Sequence, residues 1–230
     1  MSIKENIEHI RREIKEVCNR VNREYDEVTL IGVTKTIDCE RIRQALDDKI
    51  DHVGENKVQE IMNKYEEIKD AKIHMIGHLQ TNKVKYIIDK VSLIHSLDRL
   101  SLAKEINKRA KQHGIIMDTL VQVNVANEDT KFGLKVEEVE RFLEEIRDME
   151  NIRVLGLMTI APYEEDSENV RIYFKELKNI FEELKNKDYS NVHMKYLSMG
   201  MTNDYKVAIE EGTNFVRIGT GIFGERNYYK

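Results

Sequence analysis

Residues 28–46 read VTLIGVTKTIDCERIRQAL, and the fold turns on how that stretch divides. From Val28 to Val33 the chain is nearly continuous in apolar and β-branched residues, as a parallel strand covered on both faces would be. A lysine, Lys35, stands where that strand should emerge. Asp38 then offers a helix N-cap, and Ile42, Ala45 and Leu46 fall on one face of the helix that follows. The unit is a buried strand, a polar strand end and an amphipathic helix.

The unit recurs. Short apolar runs follow in DHVGEN from Asp51, IHMIGH from Ile73, SLIHSLD from Ser92 and TLVQVNV from Thr119. Three more are RVLGLMTI from Arg153, MKYLSMG from Met194 and NFVRIGTG from Asn214, which makes eight strands. Helical spacing separates them: Val136, Val139, Phe142, Ile146 and Met149 in one segment, Val170, Phe174, Leu177, Phe181 and Leu184 in another. Charged residues such as Glu137, Glu138, Glu144 and Glu145 fill the other faces. Each strand is expected to be followed by a helix, in an α/β fold that is a single (β/α)8 TIM barrel domain over residues 1–230. A doubly wound open sheet shows the same alternation and stays open as the alternative. An extra N-terminal helix, with Ile7, Ile10, Ile14, Val17 and Val21 at 3-4 spacing, is expected to fill the outer ring, because few residues follow the last strand.

Composition narrows the function. A net charge of −5 argues against nucleic acid or an anionic membrane as partner, since both call for a basic excess. No apolar run approaches the roughly 20 residues of a membrane span, and the N-terminus lacks the apolar segment of a signal peptide. Two cysteines, Cys18 and Cys39, without CxxC spacing fit reduced thiols in a cytoplasmic protein.

In both candidate folds, chemistry collects where strands end. The residues there are Lys35, Glu55, Asn56, His78, Ser96, Asp98, Asn124, Met158, Thr159, Ser198, Arg217, Gly219 and Thr220. An amine beside a low-dielectric barrel interior loses hydration, so its neutral form becomes more accessible, and a neutral amine attacks aldehydes to form a Schiff base. The plainer reading of Lys35 is a strand-end lysine that reaches out to water. Two glycine-bearing segments shift the balance. LSMGMTND from Leu197 and VRIGTGIFG from Val216 follow strands seven and eight, a frequent phosphate site in such barrels. Together with Lys35 they suggest a phosphate-bearing aldehyde. Met158, Met199 and Met201 could wall off a ring. His74 and His78 would lie ~13 Å apart along one strand, too far to share a metal, and His74 and His95 read as core or near-core histidines.

The motifs GVTKT at Gly32, HVGENKVQE at His52, HMIGHLQTNKVK at His74, IHSLDR at Ile94, GLMTIAP at Gly156, LSMGM at Leu197 and VRIGTGIFG at Val216 closely resemble the pyridoxal phosphate homeostasis proteins. That family is similar in fold to the N-terminal barrel of alanine racemase. The resemblance runs from the first helix to the last few residues. It implies pyridoxal 5'-phosphate held as an internal aldimine on Lys35, its phosphate on Ser198, Gly219 and Thr220, and its pyridine nitrogen facing Arg217. Asn56, His78, Met158 and Met199 would line the pocket. Thr202 departs from the serine usual in the family but keeps the hydroxyl.

The resemblance further implies a vitamin B6 carrier that stores, buffers or delivers the cofactor, with pyridoxal-phosphate-dependent apoenzymes as partners and no dedicated catalytic activity. A racemase-like enzyme with weak activity is the alternative, and a Schiff-base aldolase the third. Alanine racemase takes its second base from a further β-domain and a partner subunit. Only about ten residues follow the last strand here, so that domain is expected to be absent and a monomer is expected.

Overall fold

The computed structural model describes residues 2–224. Eight parallel strands pair in chain order: β1 (Thr29–Val33), β2 (His52–Glu55), β3 (Lys72–Met75), β4 (Leu93–Leu97), β5 (Met117–Gln122), β6 (Ile152–Met158), β7 (Val192–Ser198) and β8 (Phe215–Ile218). β8 returns to β1 with Leu30 opposite Val216 and Gly32 opposite Ile218. The barrel is closed, which removes the open-sheet alternative.

Around it lie α1 (Ile3–Arg20), α2 (Cys39–Asp47), α3 (Val58–Ile68), α4 (Leu100–His113), α5 (Val139–Ile146), α6 (Arg171–Lys185), α7 (Tyr205–Glu210) and α8 (Thr220–Phe223). Asp38 caps α2 as expected, its Oδ1 accepting the Arg41 N–H at 2.9 Å. One expectation fails: β3 is followed by a 3-10 turn, Thr81–Tyr86, and not by an α-helix. Val84, Ile87, Ile88 and Val91 keep an apolar stripe at helical spacing and are buried, but the segment covers the barrel in 3-10 and turn geometry rather than as a longer helix.

Two apolar layers result. Ile14, Ile42, Ile61, Leu102, Phe142 and Phe174 belong to the layer between strands and helices. A smaller cluster of Ile31, Leu93, Leu120, Met158 and Phe215 fills the barrel interior. At Gly156, φ is +149° and an added Cβ would meet the Tyr196 carbonyl oxygen at 1.8 Å, so only glycine lets β6 lie against β7 there.

The N-terminal helix takes the place expected of it. Ile7, Ile10, Ile14 and Val17 are buried. Arg11 donates to the Asp48 and Lys49 carbonyls at 3.0 and 2.6 Å beyond α2. Asn6 donates to the Ile222 carbonyl of α8 at 2.9 Å. Glu13 accepts from Lys206 at 2.5 Å and from the Tyr205 hydroxyl, both on α7. α1 thus bridges the first and last helices of the ring.

Candidate functional site

A cavity of about 520 Å³ opens at the C-terminal ends of the strands. Lys35 reaches it from the turn after β1, Asn56 from the end of β2, and Arg217, Gly219 and Thr220 from β8 and its turn into α8. The β7–α7 loop contributes Met201, Thr202, Asn203 and Asp204, and the β6–α6 loop Ile160, Pro162 and Tyr163.

The lysine sits two residues beyond β1 and is half-buried. Thr36, immediately after it, has φ of 63°, a left-handed conformation that costs a β-branched residue energy. Two bonds hold the turn: Thr36 N–H donates to Glu60 Oε2 at 2.6 Å, and Ile37 N–H to the Thr34 carbonyl at 3.0 Å. A buried ion cluster underlies it. Lys64 Nζ, on α3, donates to Glu55 Oε1 at 2.9 Å, Glu60 Oε2 at 2.8 Å and the Thr34 carbonyl at 2.7 Å. The Thr34 hydroxyl donates to the same Glu55 oxygen at 2.7 Å. Burial pushes the Glu55 carboxyl up, while its bonds to Lys64 and Thr34 pull it back. The cluster ties together the ends of β1 and β2 with α3, the three elements that fix Lys35 and Asn56. Gly77 helps on the far side, because a Cβ there would lie 2.4 Å from the Asn56 carbonyl oxygen.

Arg217 is buried, with 4% of its surface exposed. Nη1 donates to Ser198 Oγ at 2.6 Å and Nη2 to the Thr159 carbonyl at 2.8 Å. Burial lowers the guanidinium to about 10, opposed by the Asp204 carboxylate, so the group stays cationic at neutral pH. Asp204 accepts the Met201 N–H at 2.5 Å, and burial pushes its carboxyl up. Gly221 N–H points to Thr202 Oγ1 at 3.4 Å, joining the two glycine-bearing loops.

Of the residues expected at the site, Lys35, Asn56, Arg217, Gly219 and Thr220 meet at this cavity. Ser198, Met199, Met158 and His78 do not line it. Ser198 is fully buried and faces into the barrel, where it supports Arg217. Met199, next along the chain, packs in the outer apolar layer, as strand alternation requires. Met158 fills the barrel interior with Ile31 and Leu120. β3 ends at Met75, so His78 lies on the following loop. It lines a neighbouring cavity of about 580 Å³ that shares Asn56. Its ring stacks on Phe132 at 3.8 Å between centroids, and its Nδ1 is 3.5 Å from Asp98. Sequence reasoning missed the wall formed by Ile160, Pro162 and Tyr163, although Pro162, the one proline, marked that loop. It also missed Lys64, a single charge within an otherwise solvated helix pattern.

The donor set has the chemistry for a phosphate-bearing aromatic aldehyde. Lys35 offers a primary amine, the Gly219–Thr220 turn and Thr202 offer backbone and hydroxyl donors, and Arg217 offers a buried cation. Val33, Ile76 and Ala161 supply apolar wall. Among the described residues there is no His/Cys/Asp/Glu group able to hold a metal ion, and no helix is long and apolar enough to cross a membrane.

The family model for the alanine racemase N-terminal domain matches residues 6–227. A relative in Aquifex aeolicus named pyridoxal phosphate homeostasis protein is 46% identical over 230 residues, covering 99% of this chain and 100% of its own. The structure of PipY from Synechococcus elongatus with pyridoxal phosphate bound superposes with a TM-score of 0.84 at 27% identity, over 97% of this chain and 100% of that one. An alanine racemase from Clostridium difficile is similar at a TM-score of 0.70 and 19% identity, over 99% of this chain and 58% of that one. At that identity the likeness is one of fold.

Proposed function

The chain belongs to the family of pyridoxal phosphate homeostasis proteins, built on the alanine racemase N-terminal domain, and on that premise we propose that its mouth cavity binds pyridoxal 5'-phosphate through Lys35. The observation that carries this reading is the meeting of Lys35, Arg217 and the Gly219–Thr220 turn in one cavity of about 520 Å³, a size suited to one small cofactor. When bound, the cofactor supplies an aldehyde that condenses with a primary amine with loss of water.

The chain's own residues divide the work. Lys35 is the amine, held by the strained turn at Thr36 and the Glu55–Lys64–Glu60 cluster. Gly219, Thr220 and Thr202 would hold the phosphate, where backbone N–H groups and hydroxyls can approach an anion closely. Arg217 would face the ring nitrogen, and Asn56 would border the ring. Ser198 acts indirectly, by fixing Arg217.

Arg217 also bears on the choice between carrier and enzyme. A cation beside the pyridine nitrogen disfavours its protonation and weakens the ring as an electron sink. The relative matched end to end is named for homeostasis rather than for a reaction. The name supports storage, buffering or delivery of the cofactor, with hand-off to apoenzymes, while the arginine makes carbanion chemistry less supported without excluding it. A carrier of this kind takes up pyridoxal phosphate with a new absorption band and converts L-alanine no faster than the free cofactor does.

Borohydride reduction followed by peptide mass spectrometry tests the reading. The expected adduct is on Lys35. An adduct elsewhere, or none, overturns it. In Lys35→Ala the adduct should vanish while the unfolding midpoint stays near the parent value, because the side chain is half-exposed beyond the strand.

A further inference from the structure

The barrel interior holds a row of hydrogen bonds that runs from Arg217 to the opposite end of the barrel. Arg217 Nη1 lies 2.6 Å from Ser198 Oγ, and Ser198 Oγ lies 3.0 Å from His95 Nδ1. His95 Nε2 is 2.8 Å from His74 Nδ1, and His74 Nε2 is 2.8 Å from His52 Nδ1. Strand register makes the row possible. His52 pairs with Lys72, so His74 sits two residues further up β3, and His74 pairs with Leu93, so His95 sits two residues further up β4. The stagger carries the imidazoles diagonally from the start of β2 to the level of Ser198, which meets His95 from β7 across the interior.

We propose that His95, backed by His74 and His52, is a positioning residue for Arg217, through a one-way hydrogen-bond chain that keeps the guanidinium at the cavity wall. The direction follows from Arg217 alone. A guanidinium only donates, so the Ser198 oxygen accepts from it and the Ser198 hydroxyl proton goes to His95 Nδ1. A neutral imidazole that accepts at Nδ1 carries its proton on Nε2, and that proton goes to His74 Nδ1. The same rule sets His74, whose Nε2 proton goes to His52. All three rings present Nδ1 toward Arg217 and Nε2 away from it, so every link is satisfied by one assignment. The reverse assignment would aim two donors at Ser198 and leave its hydroxyl proton without an acceptor in a fully buried place, which is costly. Neutral rings are required, and burial supplies them: it lowers His74 to about 3 and His95 well below its ordinary value.

A plain packing role is the competing account, since His52, His74 and His95 also surround Phe215 at centroid distances of 6.3, 5.6 and 5.7 Å. Packing alone would tolerate an apolar side chain of similar size. The chain would not, because Ser198 would lose the acceptor that orients it.

The inference rests on the cofactor reading of the cavity, and two experiments keep the two separable. The first is nitrogen-15 NMR of histidine-labelled protein without cofactor at neutral pH. It should find His52, His74 and His95 neutral with the proton on Nε2. A proton on Nδ1, or an imidazolium, at His95 or His74 overturns the chain. The second is pyridoxal phosphate titration followed by absorbance. His95→Leu should weaken uptake about tenfold, the size of one lost buried hydrogen bond, and shift the band of the bound cofactor. His95→Gln, whose amide can both accept and donate, should recover most of the loss. Leu120→Ala, a buried interior change off the chain, should leave the band where it is. Wild-type uptake and band in His95→Leu, or no rescue by glutamine, overturns the proposal. If the parent protein takes up no cofactor, the reading of the cavity fails and the tautomers alone decide the chain.

Discussion

Lys64 shows how much a single side chain can be asked to hold. Its ammonium is the shared partner of Glu55, Glu60 and the Thr34 carbonyl, and Glu55 is fully buried with Oε2 lacking any hydrogen bond. Removing the cation strands a carboxylate in a dry place, and breaking a buried pair this way costs about 3 kcal/mol or more. Lys64→Met is expected to lower urea stability by that amount, and Glu55→Gln added to it should restore a good part of the loss. A double variant no more stable than Lys64→Met alone would show that the pair is not the source. Lys35 was legible in the sequence because an amine after an apolar strand is chemically conspicuous. The Lys64 cluster was not, since it depends on α3 folding back over the ends of β1 and β2. Ser198 and Met199 were named from the family resemblance at the end of β7, and strand alternation turned one inward and the other outward.

At the scale of the element, the strands were the readable part. Each is covered on both faces, so each is a run of apolar residues, and all eight are present. The 3-10 turn Thr81–Tyr86 carries Val84 and leads into Ile87, Ile88 and Val91 at helical spacing, all buried, so strand–helix alternation supplied a helix where the chain makes a turn. The histidine row was hidden. His52, His74 and His95 are 22 and 21 residues apart, and the interstrand stagger that aligns them is not written in any one strand. α1 was readable as a helix and placeable in the ring by its 3-4 apolar spacing. Its contribution can be measured. Ile14 is fully buried between α1 and its neighbours, and Ile14→Ala is expected to cost about 3 kcal/mol in chemical denaturation, from lost burial plus the cavity left behind. A loss under about 1 kcal/mol would mean that α1 is only loosely attached to the ring.

For the whole molecule, buried imidazoles set the response to acid. Burial lowers His74 to about 3, His52 to about 4 and His95 well below its ordinary value. In the unfolded chain these groups take up protons near 6.5, while in the folded chain they refuse them. The unfolded state therefore binds more protons as pH falls below 6.5, and stability that is complete at neutral pH declines through the acid range toward the folded values. Each fully buried histidine contributes a slope of about 1.4 kcal/mol per pH unit, and His52, more open to solvent, contributes less. Glu55 and Asp204, pushed up by burial, oppose the trend. Urea midpoints should fall between about pH 7.5 and about pH 5.5, less steeply in His74→Gln. A flat profile would contradict the burial of the row. The N-terminal clasp has a consequence in time as well as in space. Glu13 waits for Lys206, 193 residues later, which at ribosomal speeds is roughly 10–40 s. Through that interval α1 can meet α2 but not α7 and α8, so part of the Ile7, Ile10 and Ile14 ridge stays uncovered on the nascent chain, a natural foothold for chaperones until translation delivers the rest of its partners.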